Sequence, residues 1–242
     1  MIEVRFPDQS TRSYAHGITP FEIAKSISEG LARNVLSVKF NGQTVEASTP
    51  LKNNGNINLF TWNDKEGKTA FWHSSAHVLA QALLALYPTC KLTIGPAIEN
   101  GFYYDADFGE HSITEKDLVI IEKKMLEFAR QKFDFKMRSI SKSEALAHYQ
   151  KENNPFKIEL IENLEDGTIT FCDHADFTDL CRGGHIPQTG VIKAVKLTNV
   201  AGAYWRGDET KPQLTRIYGI SFPKQKDLTE YPEKVEEAKK RD

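Results

Sequence analysis

Two pairs of side chains suited to metal binding or proton transfer stand far apart in this chain: His73 with His77, and Cys181 with His185. Any fold that uses them together must bring a turn against a helix. His73 and His77 are four positions apart and lead into Val78-Leu79-Ala80-Gln81-Ala82-Leu83-Leu84-Ala85-Leu86. That apolar stretch reads as a helix, so both imidazoles leave one face, roughly one turn apart. Cys181-Arg182-Gly183-Gly184-His185 follows a strand-like stretch and holds two glycines, the composition of a tight turn. A thiol and three imidazoles are the ligand types of a tetrahedral zinc site. They are equally the parts of a polar centre that moves protons near neutral pH.

A chain of 242 residues can bury a sizeable core and points to two domains. A formal charge of −2 excludes a molecule that is basic overall, so any RNA contact must come from local patches. One candidate runs through Lys123, Lys124, Arg130, Lys132, Lys136, Arg138 and Lys142 and reads equally as a solvated helix face. Three cysteines, an odd number, make no disulfide framework and suit a reducing compartment, so a cytoplasmic location is expected. Met1 to Arg5 is already charged and offers no signal core, and no apolar run approaches the ~20 residues needed to span a bilayer.

Residues 1–62 read as a small β-grasp (ubiquitin-like) roll in the order β-β-α-β-β. Thr19-Pro20-Phe21-Glu22 combines a cap, a first-turn proline and a capping-box glutamate, and Gly30 is the expected helix end. Asn41-Gly42 between two strand-like runs signals a hairpin. With no catalytic cluster, this unit reads as a binding or docking module. The polar segment Asn63 to Lys68 is the expected linker. Gly67-Lys68-Thr69 imitates the tail of a phosphate-binding loop, but Trp62 stands where that loop needs a second glycine, which excludes nucleotide binding there.

Residues 63–224 read as α+β, with antiparallel strands and helices packed against one side. The expected elements are a helix from about Trp72 to Leu86, a strand through Gly101 to Asp105 and a long amphipathic helix from Thr114 to about Lys132. A strand follows through Phe133 to Ile140, then a helix opened by Ser141 and running through Tyr149. Further strands lie at Thr168 to Cys172, Val191 to Val200 and Leu214 to Ile220. Residues 225–242 are rich in Glu and Lys and read as a linker helix with no core of its own. Cys90 and Cys172 are expected as buried fillers, and His111, His148 and His174 as surface residues.

His73-Ser-Ser-Ala-His77-Val-Leu-Ala-Gln-Ala, Gly95-Pro96 with Gly101-Phe102-Tyr103-Tyr104-Asp105, and Asp179-Leu-Cys181-Arg-Gly-Gly-His185 together resemble the editing domain of bacterial threonyl-tRNA synthetases. The first sixty residues resemble the TGS domain of the same family, and the Glu/Lys helix resembles the linker toward its aminoacylation core. One departure is Gly184, where many relatives carry proline. The tetrad alone is shared with alanyl-tRNA synthetase editing domains; the TGS-like unit separates the two.

The resemblance implies proofreading: hydrolysis by an activated water of the ester in seryl-tRNA(Thr), with the tRNA acceptor end as partner. A missing methyl group is worth only ~1–3 kcal/mol in a pocket, so a synthetic site needs a second sieve against serine. On that reading His73 and His185 position the water and handle its proton, with His77 and Cys181 completing the cluster. Lys157, in Asn154-Pro155-Phe156-Lys157, stabilises the oxyanion, and Asp179 holds the serine amino group. Tyr104 and Gly95 shape the pocket. The resemblance implies no cofactor for editing and places the full-length enzyme's ATP, Mg and zinc sites beyond this chain. It also implies a homodimeric full-length enzyme, whereas the fragment alone is expected to be monomeric. The alternative is a non-catalytic RNA-binding fragment in which His73, His77, Cys181 and His185 hold a structural or opportunistic zinc.

Overall fold

The computed structural model describes residues 1–241. The first unit contains β1 (Ile2–Arg5), β2 (Thr11–Tyr14), α1 (Pro20–Ile27), α2 (Glu29–Asn34), β3 (Ser37–Phe40), β4 (Gln43–Val45) and β5 (Gly55–Phe60). Its sheet runs β2-β1-β5-β3-β4, with β1 and β5 parallel and the remaining pairs antiparallel. This is the expected grasp of a helix by a mixed sheet, around Ile2, Val4, Ile23, Val38 and Ile57. Thr19 caps α1 and Pro20 opens it, as the sequence signals. The helix does not end at Gly30. Ser28, in extended conformation, closes α1, and its hydroxyl accepts from Leu31 N to cap α2, so Gly30 lies inside a second helix. Asn41 and Gly42 both adopt positive φ, 52° and 77°, the geometry of a two-residue hairpin turn.

The central helix α3 (Lys65–Leu86) begins seven residues earlier than the apolar pattern suggests. The polar stretch read as a linker is therefore largely its first turns, with Asp64 as N-cap and its carboxylate accepting from Thr61 N at 2.8 Å. Its residues are buried around most of its circumference, so periodicity was a poor guide to where it starts. Gly67, inside α3, makes the approach possible: a Cβ there would stand 1.9 Å from the Thr61 carbonyl oxygen.

Around α3 lie β6 (Lys91–Leu92), β7 (Ala97–Ile98), β8 (Gly101–Asp107), α4 (Glu115–Ala129), β9 (Lys136–Ser139), α5 (Lys142–Lys151) and α6 (Pro155–Glu162). The chain continues through β10 (Thr170–His174), β11 (Phe177–Leu180), β12 (Ala194–Tyr204), β13 (Gln213–Phe222) and α7 (Gln225–Arg241). Strands β12-β13-β8-β6, with β7 beside β8, make one antiparallel sheet, and β11-β10-β9 makes another. Helices α3 and α4 touch each other and the larger sheet. The main core includes Phe71, Leu79, Leu83, Phe102, Ile121, Met125 and Ile217, and it also takes in Leu36 from the first unit. Trp62 packs edge-on to Phe71 and Trp72, at 5.1 and 5.8 Å, so the two units meet in an apolar joint.

The expected linker helix is present as α7, but it is not without a packing partner. Leu228 and Tyr231 lie on the main core, and the Tyr231 ring is 5.6 Å from Phe222. Residue 242, the last of the expected linker, lies outside the described residues. Among the described residues, no helix is long and apolar enough to cross a membrane.

Gly67→Ala forces a methyl group into the Thr61 carbonyl. The expected loss is ~1–3 kcal/mol or more of unfolding free energy by urea denaturation; an unchanged midpoint would mean that this junction has slack.

Candidate active site

Helix α3 presents His73 and His77 on one face, because an α-helix returns to the same side after four residues. The serines between them are structural. Ser74 Oγ donates to Ala70 O at 2.7 Å and accepts from Ile186 N at 2.9 Å, which pins the segment just after His185 onto the helix. Ser75 Oγ lies 2.6 Å from Ser221 Oγ, tying α3 to β13. Strand β11 delivers Asp179, and the chain then turns through Gly183 and Gly184 at φ 109° and 90°, conformations that side chains rarely adopt. The turn returns His185 to the helix. Residues more than a hundred positions apart thus converge: His73 Nε2 is 3.0 Å from Cys181 Sγ, His77 Nε2 is 3.3 Å from His73 Nε2, and Cys181 Sγ is 3.3 Å from His185 Nε2.

Behind this cluster lies a buried charge network. The Asp179 carboxylate accepts from Lys157 Nζ at 2.5 Å, from the Tyr104 hydroxyl at 3.0 Å and, through His77 Nδ1, at 3.1 Å. Lys157, Asp179 and Tyr104 are each at most 3% exposed. Lys157 stands in α6, an element the sequence reading did not identify. Its start signal was nevertheless present: Asn154 caps it, accepting from Lys157 N at 3.1 Å, Pro155 opens it, and Asn154 Nδ2 donates to Leu92 O at 2.8 Å. Gly95 fits because a Cβ there would meet the Tyr104 ring at 2.1 Å.

Burial alone would raise the Asp179 carboxyl pKa, but the Lys157 charge and the His77 hydrogen bond hold it far below the carboxylate range. Burial depresses His77, yet the Cys181 sulfur and Asp179 outweigh it and raise its pKa. Cys181 is pushed far down despite burial by the His77 charge and by hydrogen bonds from His185 and His73. His73 moves the other way, lowered chiefly by burial. Within one cluster the Cys181 thiol and the His73 imidazole are thus driven down while His77 and His185 are driven up, and such separation of pKa values divides acid from base roles.

A cavity of about 660 Å³ opens onto this cluster. His73, His77, Gly95, Lys157, Asp179 and Cys181 contribute to its wall, with an apolar side of Ile94, Pro96, Leu160, Leu164, Ile169 and Leu180. Of the four clustered residues, His73 and Cys181 are the half-buried ones. His185 and Tyr104 are not in the wall. His185, 3% exposed, stacks on Phe135 at 5.3 Å, and Tyr104 supports Asp179 from behind. Both Asp179 oxygens are engaged by protein donors.

Two side chains near the site escaped the sequence reading. His174 is buried rather than on the surface, its Nε2 donating to Gln81 Oε1 at 2.8 Å and its Nδ1 without a partner. Glu46, from the first unit, contacts the turn that carries His185. Cys172, read as a filler, is buried but sits 3.7 Å from His185 Nδ1. The basic run is partly engaged by the protein's own acceptors: Lys142 Nζ donates to the Glu162 and Leu164 carbonyls, and Arg138 pairs with Asp173 at 2.6 Å.

One ligand atom from each of His73, His77, Cys181 and His185 can be chosen so that all lie within 4.8 Å of one another. A zinc ion with bonds of ~2.0–2.3 Å spreads its ligands by ~3.3–3.8 Å, so small adjustments would admit one. Such a set of four protein ligands is closed, the form of a structural site, and it would consume the lone pair of His73.

Residues 2–61 match the TGS domain family, and residues 169–218 match the tRNA_SAD family, described as the threonyl and alanyl tRNA synthetase second additional domain. Over all 242 residues the chain is 66% identical to a threonine-tRNA ligase of Flavobacterium johnsoniae, 62% to that of Flavobacterium psychrophilum and 57% to that of Cytophaga hutchinsonii. It spans 37–38% of the length of these relatives.

Removing the carboxylate in Asp179→Ala leaves the Lys157 charge buried without its partner. The expected cost is ~3–5 kcal/mol in urea denaturation, and a wild-type midpoint would show the ammonium solvated through the cavity. Burial holds the His174 pKa down to about 3 from its ordinary 6.5. The unfolded chain therefore takes up a proton on acidification before the folded one does. Stability from this residue is complete above pH 6.5 and falls toward pH 3, by up to about 1.4 kcal/mol per pH unit. His174→Phe should flatten the dependence of unfolding free energy on pH over that window; an equally steep curve would assign it to other groups.

Proposed function

From a chain that carries a TGS domain and a threonyl and alanyl tRNA synthetase second additional domain, we propose a deacylase that hydrolyses mischarged seryl-tRNA(Thr), working as the proofreading part of a threonine-tRNA ligase. The observation that carries this reading is the joining of His73 and Cys181 at the wall of a cavity to a buried His77–Asp179–Lys157 network. Ester hydrolysis needs a positioned water, an acceptor for its proton and stabilisation of the oxyanion. A neutral His73 is the base. Water adds to the carbonyl carbon as its proton passes to that imidazole, the bond to the ribose oxygen breaks, and the ribose oxygen regains a proton as serine leaves. Lys157, fixed by Asp179, supplies positive charge at the cavity wall. His185 acts from behind, through Cys181, on the shape and charge of the cluster. The apolar side of the cavity, through Ile94, Pro96 and Leu160, suits the terminal adenosine. The partner is the tRNA acceptor end, and the location is cytoplasmic.

A second reading rests on the ligand geometry: His73, His77, Cys181 and His185 hold a structural zinc in a non-catalytic RNA-binding unit. The two readings diverge in one experiment. Incubation with seryl- and threonyl-tRNA(Thr) is expected to release serine selectively, with activity unaffected by a chelator and lowered ~10²–10⁴-fold in His73→Ala. Stoichiometric zinc whose removal unfolds the protein, with both charged tRNAs left intact, would establish the zinc reading instead.

A further inference from the structure

Glu46 immediately follows β4, in the small first unit, and its side chain is only 12% exposed. Its carboxylate reaches across the joint to the turn that carries His185. Oε1 accepts from Gly184 N at 2.8 Å and lies 3.2 Å from His185 Nδ1, while Oε2 accepts from His185 N at 3.3 Å. The two glycines permit this approach. Both have positive φ, a Cβ on Gly183 would meet Glu46 Oε1 at 3.0 Å, and one on Gly184 would touch Thr44 of β4 at 3.6 Å. A proline at Gly184 would have no N–H to give. The joint that holds Glu46 in place is apolar, with Leu36 in the main core and Trp62 against Phe71 and Trp72.

We propose that Glu46 is a positioning residue for the hydrolytic centre: through these contacts the TGS unit fixes the His185 turn and holds a proton on His185 Nδ1, so that Nε2 stays directed at Cys181. The logic is that of a carboxylate that orients a histidine by accepting from its far nitrogen. It gives the small unit a part in catalysis without touching substrate, and it rests on the deacylase reading above.

The test compares Glu46→Ala and Glu46→Gln with the wild type in two readouts: seryl-tRNA(Thr) hydrolysis and the ¹⁵N signals of the His185 ring. In Glu46→Ala, kcat is expected to fall roughly tenfold to a hundredfold with KM nearly unchanged, and the His185 signals to lose their Nδ1–H pattern. Glu46→Gln keeps one acceptor oxygen for Gly184 N and should recover part of both; it carries the same readouts if the alanine variant does not fold. Wild-type kcat in both variants, or a fall in kcat with His185 signals unchanged, overturns the proposal. If the wild type itself spares seryl-tRNA, the deacylase reading fails, and the ring signals alone still decide whether Glu46 fixes His185.

Discussion

The buried carboxylate of Asp179 is the constraint around which the site is organised. An isolated charge at that depth would be prohibitively costly, so it exists only with partners, and each partner comes from a different element. Lys157 comes from α6, Tyr104 from β8 and His77 from α3, while Asp179 itself lies in β11. Satisfying one carboxylate therefore registers a helix pair, a sheet and a hairpin against one another. The same contacts settle which nitrogen of His77 is turned inward and which faces the cluster.

A second layer of fixation comes from short polar side chains with no chemistry of their own. Ser74 holds Ile186, Asn154 joins the start of α6 to Leu92, and Ser75 meets Ser221. Each replaces water on a buried backbone or hydroxyl group, and so each is worth most as a locator. The result is a cluster whose inner members, His77 and His185, are immobilised, while His73 and Cys181 remain at the cavity wall. Lowered His73 and Cys181 beside raised His77 and His185 are the electrostatic outcome of that layering.

Much of this was legible in the chain. Local signals were read correctly where a short-range mechanism dictates structure: the Thr19-Pro20 helix start, the Asn41-Gly42 turn, the capped α4 and α5, and the i,i+4 histidines. Reading failed where tertiary burial overrides local pattern. The polar segment before Ala70 is helical because Gly67 lets α3 pack on Thr61. Gly30 continues a helix because Ser28 had already capped it. His174 is inside because Phe135 and Phe177 flank it and Gln81 Oε1 accepts a hydrogen bond from its Nε2.

By itself the sequence determined most of the elements and the chemical kinds of the candidate site residues, since helix periodicity, caps and glycine turns act over a few residues. Only the tertiary structure decided which of those residues meet the cavity and which stand behind it. It alone brought Glu46 of one unit to His185 of the other. The reason is physical: burial, and with it charge state and access to water, is a property of surfaces closing over one another, and no local pattern records which surfaces will meet.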